Sequence, residues 1–244
     1  MTQLIYEQPL NEKTRSFLRL EHLAAHIAQV TETDHLHYCF EPIFALAELT
    51  ERCDFTSDVL KDIDKQVLML TKWQAFPHVD TQQVAQLIEQ LTQTKTALNT
   101  TARLGVKLKQ DKFISALKHR FCMPGTCCNF DLPQLHFWLA LPWQQRQQDI
   151  NRWTNEFTPL LSAVKLLLKL ARETAEFIHC QAEAGFYQAT TDKTLSLIRV
   201  KMPQGQSCYP TISGHRNRFA IHFVDFHQQK HTDKQVTFSL ATCE

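Results

Sequence analysis

The sequence predicts an α+β protein, with an N-terminal helical domain and a smaller antiparallel β domain. Up to about residue 180, apolar side chains recur at intervals of three and four residues, as they do along one face of a helix. From Gly185 onward they alternate with polar side chains, and turn residues separate the alternating segments. Strands joined in this way pair antiparallel. We therefore expect residues 1–118 and 132–180 to form the helical domain, and residues 119–131 and 181–244 to form the β domain.

The helices are predicted from their apolar faces, their capping residues and the prolines that end them. Asn11 is suited to cap the first helix, which should end near Val30. Ser57 should cap the third helix, and Asp80 begins a capping-box-like start of the fourth. Helices are expected over residues 12–30, 37–53, 58–75, 81–98, 111–121, 135–141 and 143–177. Pro159 could introduce a kink into the last of these.

The strands are predicted from alternation and from the turn residues between them. They are expected over residues 126–130, 186–189, 195–201, 219–226 and 236–241. The clearest alternation runs from Phe219 to Phe226, where the apolar residues at odd positions point to one face. The run from Thr126 to Phe130 follows a Met-Pro-Gly turn and could add a strand to the sheet.

Composition excludes several classes of function. The net charge is +1 at pH 7, so a basic site must be local. Neither G-x-G-x-x-G nor G-x-x-x-x-G-K-[ST] occurs, which weighs against an enzyme that uses a nucleotide, and we expect no cofactor. The N-terminal residues lack the basic and apolar regions of a signal peptide, and no apolar run is long enough to span a bilayer. We therefore expect a cytoplasmic protein with reduced cysteines and no membrane insertion.

A cluster of nitrogen and sulfur side chains in the middle of the chain is the obvious candidate for a metal site. It consists of His119, Cys122, Cys127, Cys128 and His136. Structural zinc sites favour C-x-x-C pairs, and none is present. A strand over residues 126–130 would point Cys127 and Cys128 to opposite faces. No general base accompanies these thiols, so we expect neither a metal nor a catalytic residue, and we assign the cysteines to packing.

The first predicted helix carries a basic stripe. Arg15, Arg19, His22 and His26 are spaced by four, three and four residues, which places them on one side of the helix. Such a stripe is commonly a solvated face. The alternative interpretation is a docking face for an acidic partner.

The strongest local signal is the basic, aromatic run from Ser213 to Phe223. It contains His215, Arg216, Arg218 and His222, with aromatic residues interleaved. The planar fork of arginine suits carboxylates and phosphates. Such a surface could bind an acidic peptide with apolar anchors, or single-stranded nucleic acid. A third interpretation is a solvated edge strand whose charges prevent it from pairing with another chain.

Four long runs give the whole chain a resemblance to one family. They are PLNEKTRSFLRLE (9–21), PGTCCNFDLPQLHFWLALP (124–142), GFYQ (185–188) and YPTISGHRNRFAIHF (209–223). On these runs the chain resembles the Z-ring-associated protein D (ZapD) family of bacterial cell-division proteins. The resemblance implies a cytoplasmic, non-enzymatic homodimer with its β domains at the centre. It also implies binding to the C-terminal tail of FtsZ, the tubulin-like division GTPase, and bundling of FtsZ filaments, which stabilises the ring at midcell.

The resemblance also implies which basic residues bind the FtsZ tail. Matching the family's motifs position by position selects Arg15, Arg19, Arg52, Lys112, His136, His215, Arg216, Arg218 and His222. Arg52 and Lys112 lie outside the strongest runs. His222 stands where an arginine would do the same work more strongly, and a histidine makes the interaction depend on pH. We expect Arg15, Arg19, Arg216 and Arg218 to converge on one acidic-peptide site.

Overall fold

The computed structural model describes residues 4–32, 39–101, 103–121 and 129–244. Helices fill most of the N-terminal part and antiparallel sheets the C-terminal part, so the predicted α+β class is confirmed. The chain forms two compact units. Met1–Leu18 with Leu168–Glu244 makes the β unit, and Arg19–Leu167 makes the helical unit. The predicted domain boundaries follow the change of secondary structure instead, and they stay a prediction.

The helices are numbered in chain order. They are α1 (Glu12–Glu32), α2 (Phe40–Arg52), α3 (Phe55–Trp73), α4 (Thr81–Asn99), α5 (Val106–Gln110), α6 (Lys112–Phe121), α7 (Pro133–Leu139), α8 (Trp143–Thr154) and α9 (Thr158–Glu173).

Side-chain caps fix where the helices begin. Asn11 caps α1 as predicted, because its Oδ1 accepts a hydrogen bond from the Thr14 amide at 2.8 Å. Asp80 caps α4 in the same way, accepting from two amides of the first helical turn at 3.0 Å each. The predicted cap at Ser57 is wrong. Asp54 is the N-cap of α3 and accepts from the Ser57 amide, so the helix begins earlier than expected.

The predicted single helix over residues 143–177 is also wrong. A 3₁₀ turn at Asn155–Phe157 separates α8 from α9, and α9 ends at Glu173. The turn between α8 and α9 positions Glu156, which caps α5. Its carboxylate accepts hydrogen bonds from the amides of Leu108 at 2.9 Å and Lys107 at 3.3 Å. Apolar periodicity continues through the turn, so the sequence pattern alone does not reveal it.

An aromatic core holds the helical unit together. Phe40, at the start of α2, contacts the rings of Phe113, Phe121, Trp138 and Trp153, with centroids 5.3–6.1 Å apart. Aromatic pairs at such separations stabilise the fold beyond the area they bury. The core therefore fixes α6 and α7, which carry Lys112 and His136.

The strands are also numbered in chain order. They are β1 (Leu4–Pro9), β2 (Ile178–Ala182), β3 (Phe186–Thr190), β4 (Leu197–Met202), β5 (Cys208–His215), β6 (Arg218–Asp225), β7 (Lys230–His231) and β8 (Val236–Cys243).

These strands form two antiparallel sheets in the β unit. The first sheet has the order β1-β4-β8-β2. In the second, β6 lies between β3 and β5 and also pairs with β7. Both sheets contribute to one core, which includes Val200, Phe219, Ile221, Phe223 and Phe238. The predicted alternation of β6 is confirmed: Phe219, Ile221 and Phe223 are buried on one face, and the even positions lie on the opposite, outer face.

Several strands depart from the prediction. β1 was not predicted, and it pairs with β4, near the other end of the chain. β2, β5 and β7 were not predicted either. The strand expected at Thr126–Phe130 is wrong at its described end, because Asn129 and Phe130 lie in a turn. Residues 126–128 lie outside the described part of the chain.

Candidate functional site

The turn between β5 and β6 carries the densest cluster of predicted site residues. His215 pairs with Arg218, so Arg216 and Asn217 form a two-residue turn. Arg216 has φ 54°, a conformation that favours glycine. An arginine is kept there by main-chain contacts, because the Arg216 carbonyl accepts a hydrogen bond from the Leu195 amide at 2.8 Å.

The connection between β3 and β4 also holds Asn217, the second residue of the turn. The amide of Thr191 donates to the Asn217 carbonyl at 2.8 Å. Thr191 and Leu195 both belong to the connection between β3 and β4, so this connection supports the hairpin tip on both central residues. The cations therefore project from a backbone that is fixed before any ligand arrives.

A groove of about 480 Å³ lies beside the tip. It is lined by Gln188, residues 213–215 and residues 217–220. Within the described part of the chain, no residue that lines this groove is acidic. The side chains of His215 and Arg218 in the lining, and of Arg216 next to it, are exposed, so the groove is cationic and open to solvent.

Gly214 keeps the backbone of the groove close to the core. A Cβ at this position would lie 2.7 Å from the Cβ of Phe219 and 3.0 Å from Cδ2 of Leu10. Real Cβ atoms do not approach so closely, so the position requires glycine or a local shift of the hairpin.

His222 lies four residues beyond Arg218 on the same outer face of β6. Its ring contacts those of Phe186 and His231, with centroids 4.7 Å from each. The carbonyl of His222 accepts a hydrogen bond from Oγ1 of Thr211 at 3.1 Å. His222 is therefore half-buried in an aromatic cluster.

Helix α1 carries the next predicted pair. Arg19 is exposed, and Arg15 lies one turn earlier on the same side. Nε of Arg15 donates to the Glu12 carboxylate at 3.0 Å. His22 and His26 continue the stripe with ring centroids 6.4 Å apart.

The remaining predicted residues lie on three helices of the helical unit. Arg52 is the last residue of α2 and forms an ion pair with Glu48. Lys112 is the first residue of α6, and His136 lies in α7. All three side chains are exposed. The expected convergence of the α1 arginines with those of the hairpin stays a prediction.

Arg172 and Arg199 stabilise the fold. Glu7 accepts hydrogen bonds from Arg172 at 2.7 and 2.9 Å and from Arg199 at 2.9 Å. The three side chains are about four-fifths or more buried, which marks a structural ion-pair network. These arginines differ in kind from the exposed cations of the hairpin.

Sequence reasoning did not single out Phe186 or His231 as site residues. Phe186 was assigned only to a strand, and His231 lies in a strand of two residues that was not predicted. Their contact with His222 depends on the pairing of β6 with β3 and β7. Alternation gives the face of each residue, but the register that joins them comes only from the fold.

The candidate metal cluster falls largely outside the described residues. Cys122, Cys127 and Cys128 all do so. In the parts of the chain that the structure describes, no group of three or more potential ligands could hold a metal ion. Burial raises the pKa of Cys39 to about 12 and that of Cys243 to about 11. Both thiols are therefore protonated and unreactive near neutral pH.

Comparison with known proteins identifies relatives over the full length. A family model, ZapD, described as a cell division protein, matches residues 18–222. The chain is similar to Cell division protein ZapD of Shewanella oneidensis, with 56% identity over 243 residues. It is similar to the proteins of the same name from Vibrio vulnificus and Vibrio cholerae, with 40% and 38% identity over 246 aligned positions. Each alignment covers the whole of both chains. Among the described helices, none combines the length and apolar character needed to cross a membrane.

Proposed function

We infer the function of this protein from the fact that it belongs to the ZapD family of cell division proteins, and we propose that it binds the C-terminal tail of FtsZ. In this proposal it acts in the cytoplasm as a homodimer, cross-links FtsZ filaments into bundles and stabilises the ring at midcell. The family is one of cell division factors and is not a known class of enzyme.

The hairpin tip is the observation that carries the proposal. His215, Arg216 and Arg218 are exposed on a fixed turn beside a groove whose described lining contains no acid. Guanidinium groups bind carboxylates with charge-assisted, often bidentate hydrogen bonds. A tail that mixes acidic and apolar residues fits a groove that is cationic at its rim and backed by a sheet.

Cross-linking follows from two such sites on one dimer. One site would only decorate a filament, whereas two sites can bridge neighbouring filaments. Many weak links along paired filaments add by avidity, so each tail contact can be individually weak. Because the contacts are between exposed charges, bundling should weaken as salt increases.

Co-pelleting tests the proposal directly. We expect the purified protein to pellet with polymerised FtsZ and to bundle it, and to lose both activities against FtsZ that lacks its C-terminal tail. Sedimentation velocity should show a dimer. Equal pelleting with and without the tail would overturn the tail as the binding element.

The same cationic, aromatic hairpin also keeps single-stranded nucleic-acid binding as the alternative function. A mobility-shift assay at physiological salt separates the two. We expect no shift at protein concentrations that saturate the FtsZ tail. A shift at lower concentrations would favour the alternative.

A further inference from the structure

The outer face of the second sheet presents three rows of side chains along β6. The rows pair Thr190, Arg218 and His215; then Gln188, Ala220 and Ser213; then Phe186, His222 and Thr211. The first row is cationic, the second is small and polar, and the third is aromatic. We call these nine residues the outer strip. Its chemistry changes in one direction along the strand.

Packing also holds the aromatic end of the outer strip in a defined conformation. The His222 ring lies between those of Phe186 and His231, at 4.7 Å from each. Phe186 nevertheless keeps 38% of its surface exposed. Gly185, with φ 67°, fixes the start of β3, because a Cβ there would lie 2.3 Å from the carbonyl oxygen of Thr232. The fold therefore holds an aromatic ring at the surface in a defined place.

Charge is distributed unevenly between the two ends. None of the nine residues of the outer strip is acidic. Asp225, at the end of β6, is engaged by its own turn, where Oδ1 accepts from the amides of His227 and Gln228 at 2.9 Å each. Glu183 is exposed opposite Phe186, beyond the aromatic end. An acidic ligand group is thus attracted at the Arg218 end and repelled beyond the Phe186 end.

The length of the strip sets a spacing. Arg218 and His222 are four residues apart on one strand, which corresponds to about 13 Å at roughly 3.3 Å per residue. An extended peptide repeats at the same rise. A ligand that uses both ends would therefore carry an acidic and an apolar residue about four positions apart.

We propose that the outer strip binds the FtsZ tail as an extended peptide in one direction, with an acidic side chain at Arg218 and an apolar side chain against Phe186, His222 and His231. This inference rests on the proposed function and adds to it an apolar anchor and a polarity. Electrostatic complementarity selects the occupant, since the strip is cationic and free of acids while the tail is acidic. An apolar anchor in a well-packed aromatic site supplies affinity that charge alone does not.

Anisotropy of a labelled FtsZ tail peptide, titrated with the full-length protein, tests the apolar anchor. We expect Phe186→Ala to weaken binding about tenfold, as truncation of a modest hot spot does. Phe186→Tyr keeps the ring and should bind like the wild type. Phe226→Ala removes an aromatic residue that is 63% exposed in the turn after β6, outside the strip, and should have no effect.

Peptide variants identify the occupant of the aromatic end. Each apolar residue of the peptide is replaced in turn by serine. One replacement should weaken binding to the wild type but have little further effect on Phe186→Ala, because the two groups touch. Full additivity at every position would overturn the proposed contact.

The outcomes distinguish this inference from the proposed function. No binding of the peptide to the wild type would overturn both. Wild-type binding that Phe186→Ala and Phe226→Ala leave equally intact would overturn the outer strip alone. Loss of the dimer in Phe186→Ala, at unchanged far-ultraviolet circular dichroism, would assign this face to a second copy of the chain and also overturn the strip.

Discussion

The β5–β6 hairpin and helix α1 both present arginines to solvent, but they support them differently. The hairpin holds Arg216 in a left-handed conformation, fixed by a main-chain hydrogen bond from Leu195. Helix α1 presents Arg15 and Arg19 on an ordinary helical face, where Arg15 already contacts Glu12. The hairpin backbone is organised before binding, whereas Arg15 on the helix must exchange an existing partner.

This difference bears on which region governs affinity. Ordering a long side chain on binding costs about 0.5–1.5 kcal/mol, and a fixed backbone lowers the part of that cost that comes from the loop. The hairpin also has a groove beside its cations, which offers a ligand further surface to contact. We therefore expect the hairpin to set the affinity for one tail and α1 to add to it.

The largest effect should come from reversing charge at the hairpin tip. Arg216→Glu with Arg218→Glu replaces two cations by two anions at the tip and rim of the groove proposed to bind the acidic tail. Hydrogen bonds to charged groups contribute about 1.5–3 kcal/mol each, so tail affinity should fall by more than about 100-fold. Peptide anisotropy measures the loss.

The matched control carries the same change in net charge elsewhere. Lys61→Glu with Lys65→Glu alters two exposed lysines one turn apart on α3. Its tail affinity should stay within about twofold of the wild type, since neither lysine belongs to the predicted tail site. A comparable loss in the control would show that net charge, and not the hairpin, determines binding.

The next effect tests whether α1 takes part at all. Arg19→Glu should abolish the pelleting of bundled FtsZ while the protein stays folded and dimeric, and it should weaken binding of a single tail about tenfold. Bundling is the more sensitive measurement because avidity multiplies losses at each link. Unchanged bundling would remove Arg19 from the site and leave the hairpin alone.

Several elements with local signals were predicted correctly. The cap at Asn11 and the alternation of β6 depend on residues that are close together in the sequence, so short-range patterns suffice to predict them. The pairing of β1 with β4 joins Leu4 to Met202, and no local pattern encodes a partner so distant in sequence. β5 contains Pro210 and Gly214, which weaken the signal of a strand although both lie within its pairing.

The candidate site divides in the same way. Its cationic residues could be predicted because arginine and histidine are recognised as basic from the sequence alone. The aromatic contacts of His222 could not, since they require the register of β3 and β7 against β6. The sequence indicated a basic, aromatic run around Arg216, but the hydrogen bonds from the 191–195 connection that fix its turn come only from the fold.

A smaller effect should follow from disturbing the support of the hairpin without changing its charge. Gly214→Ala places a methyl group 2.7 Å from the Phe219 Cβ, so the hairpin must shift. Overpacking of this kind costs about 1–3 kcal/mol of the free energy of unfolding, and the displaced tip should bind the tail several-fold more weakly. Thermal unfolding and peptide anisotropy measure the two consequences.

Gly205→Ala is the appropriate comparison for that variant. Gly205 has φ 85° and nothing within 4 Å of the position where a Cβ would stand, so its replacement strains a turn without crowding the hairpin. It should lower stability by about 1 kcal/mol and leave tail affinity unchanged. If both glycine variants weaken binding equally, a loss of global stability explains the effect and the hairpin geometry is not its cause.

The smallest effect concerns the partner that Arg15 must leave. Glu12→Gln removes an exposed pair of the i, i+3 type, which contributes about 0.2–0.5 kcal/mol, so tail binding should strengthen by at most about twofold. Glu173→Gln makes a similar change beside Lys169 on α9, outside the predicted tail site. A gain for Glu12→Gln without a gain for Glu173→Gln would show that α1 contributes to the tail site and that its contribution is limited by an exchange of partners. A gain of similar size from both would instead reflect only the loss of one negative charge, and the hairpin would remain the single organised site.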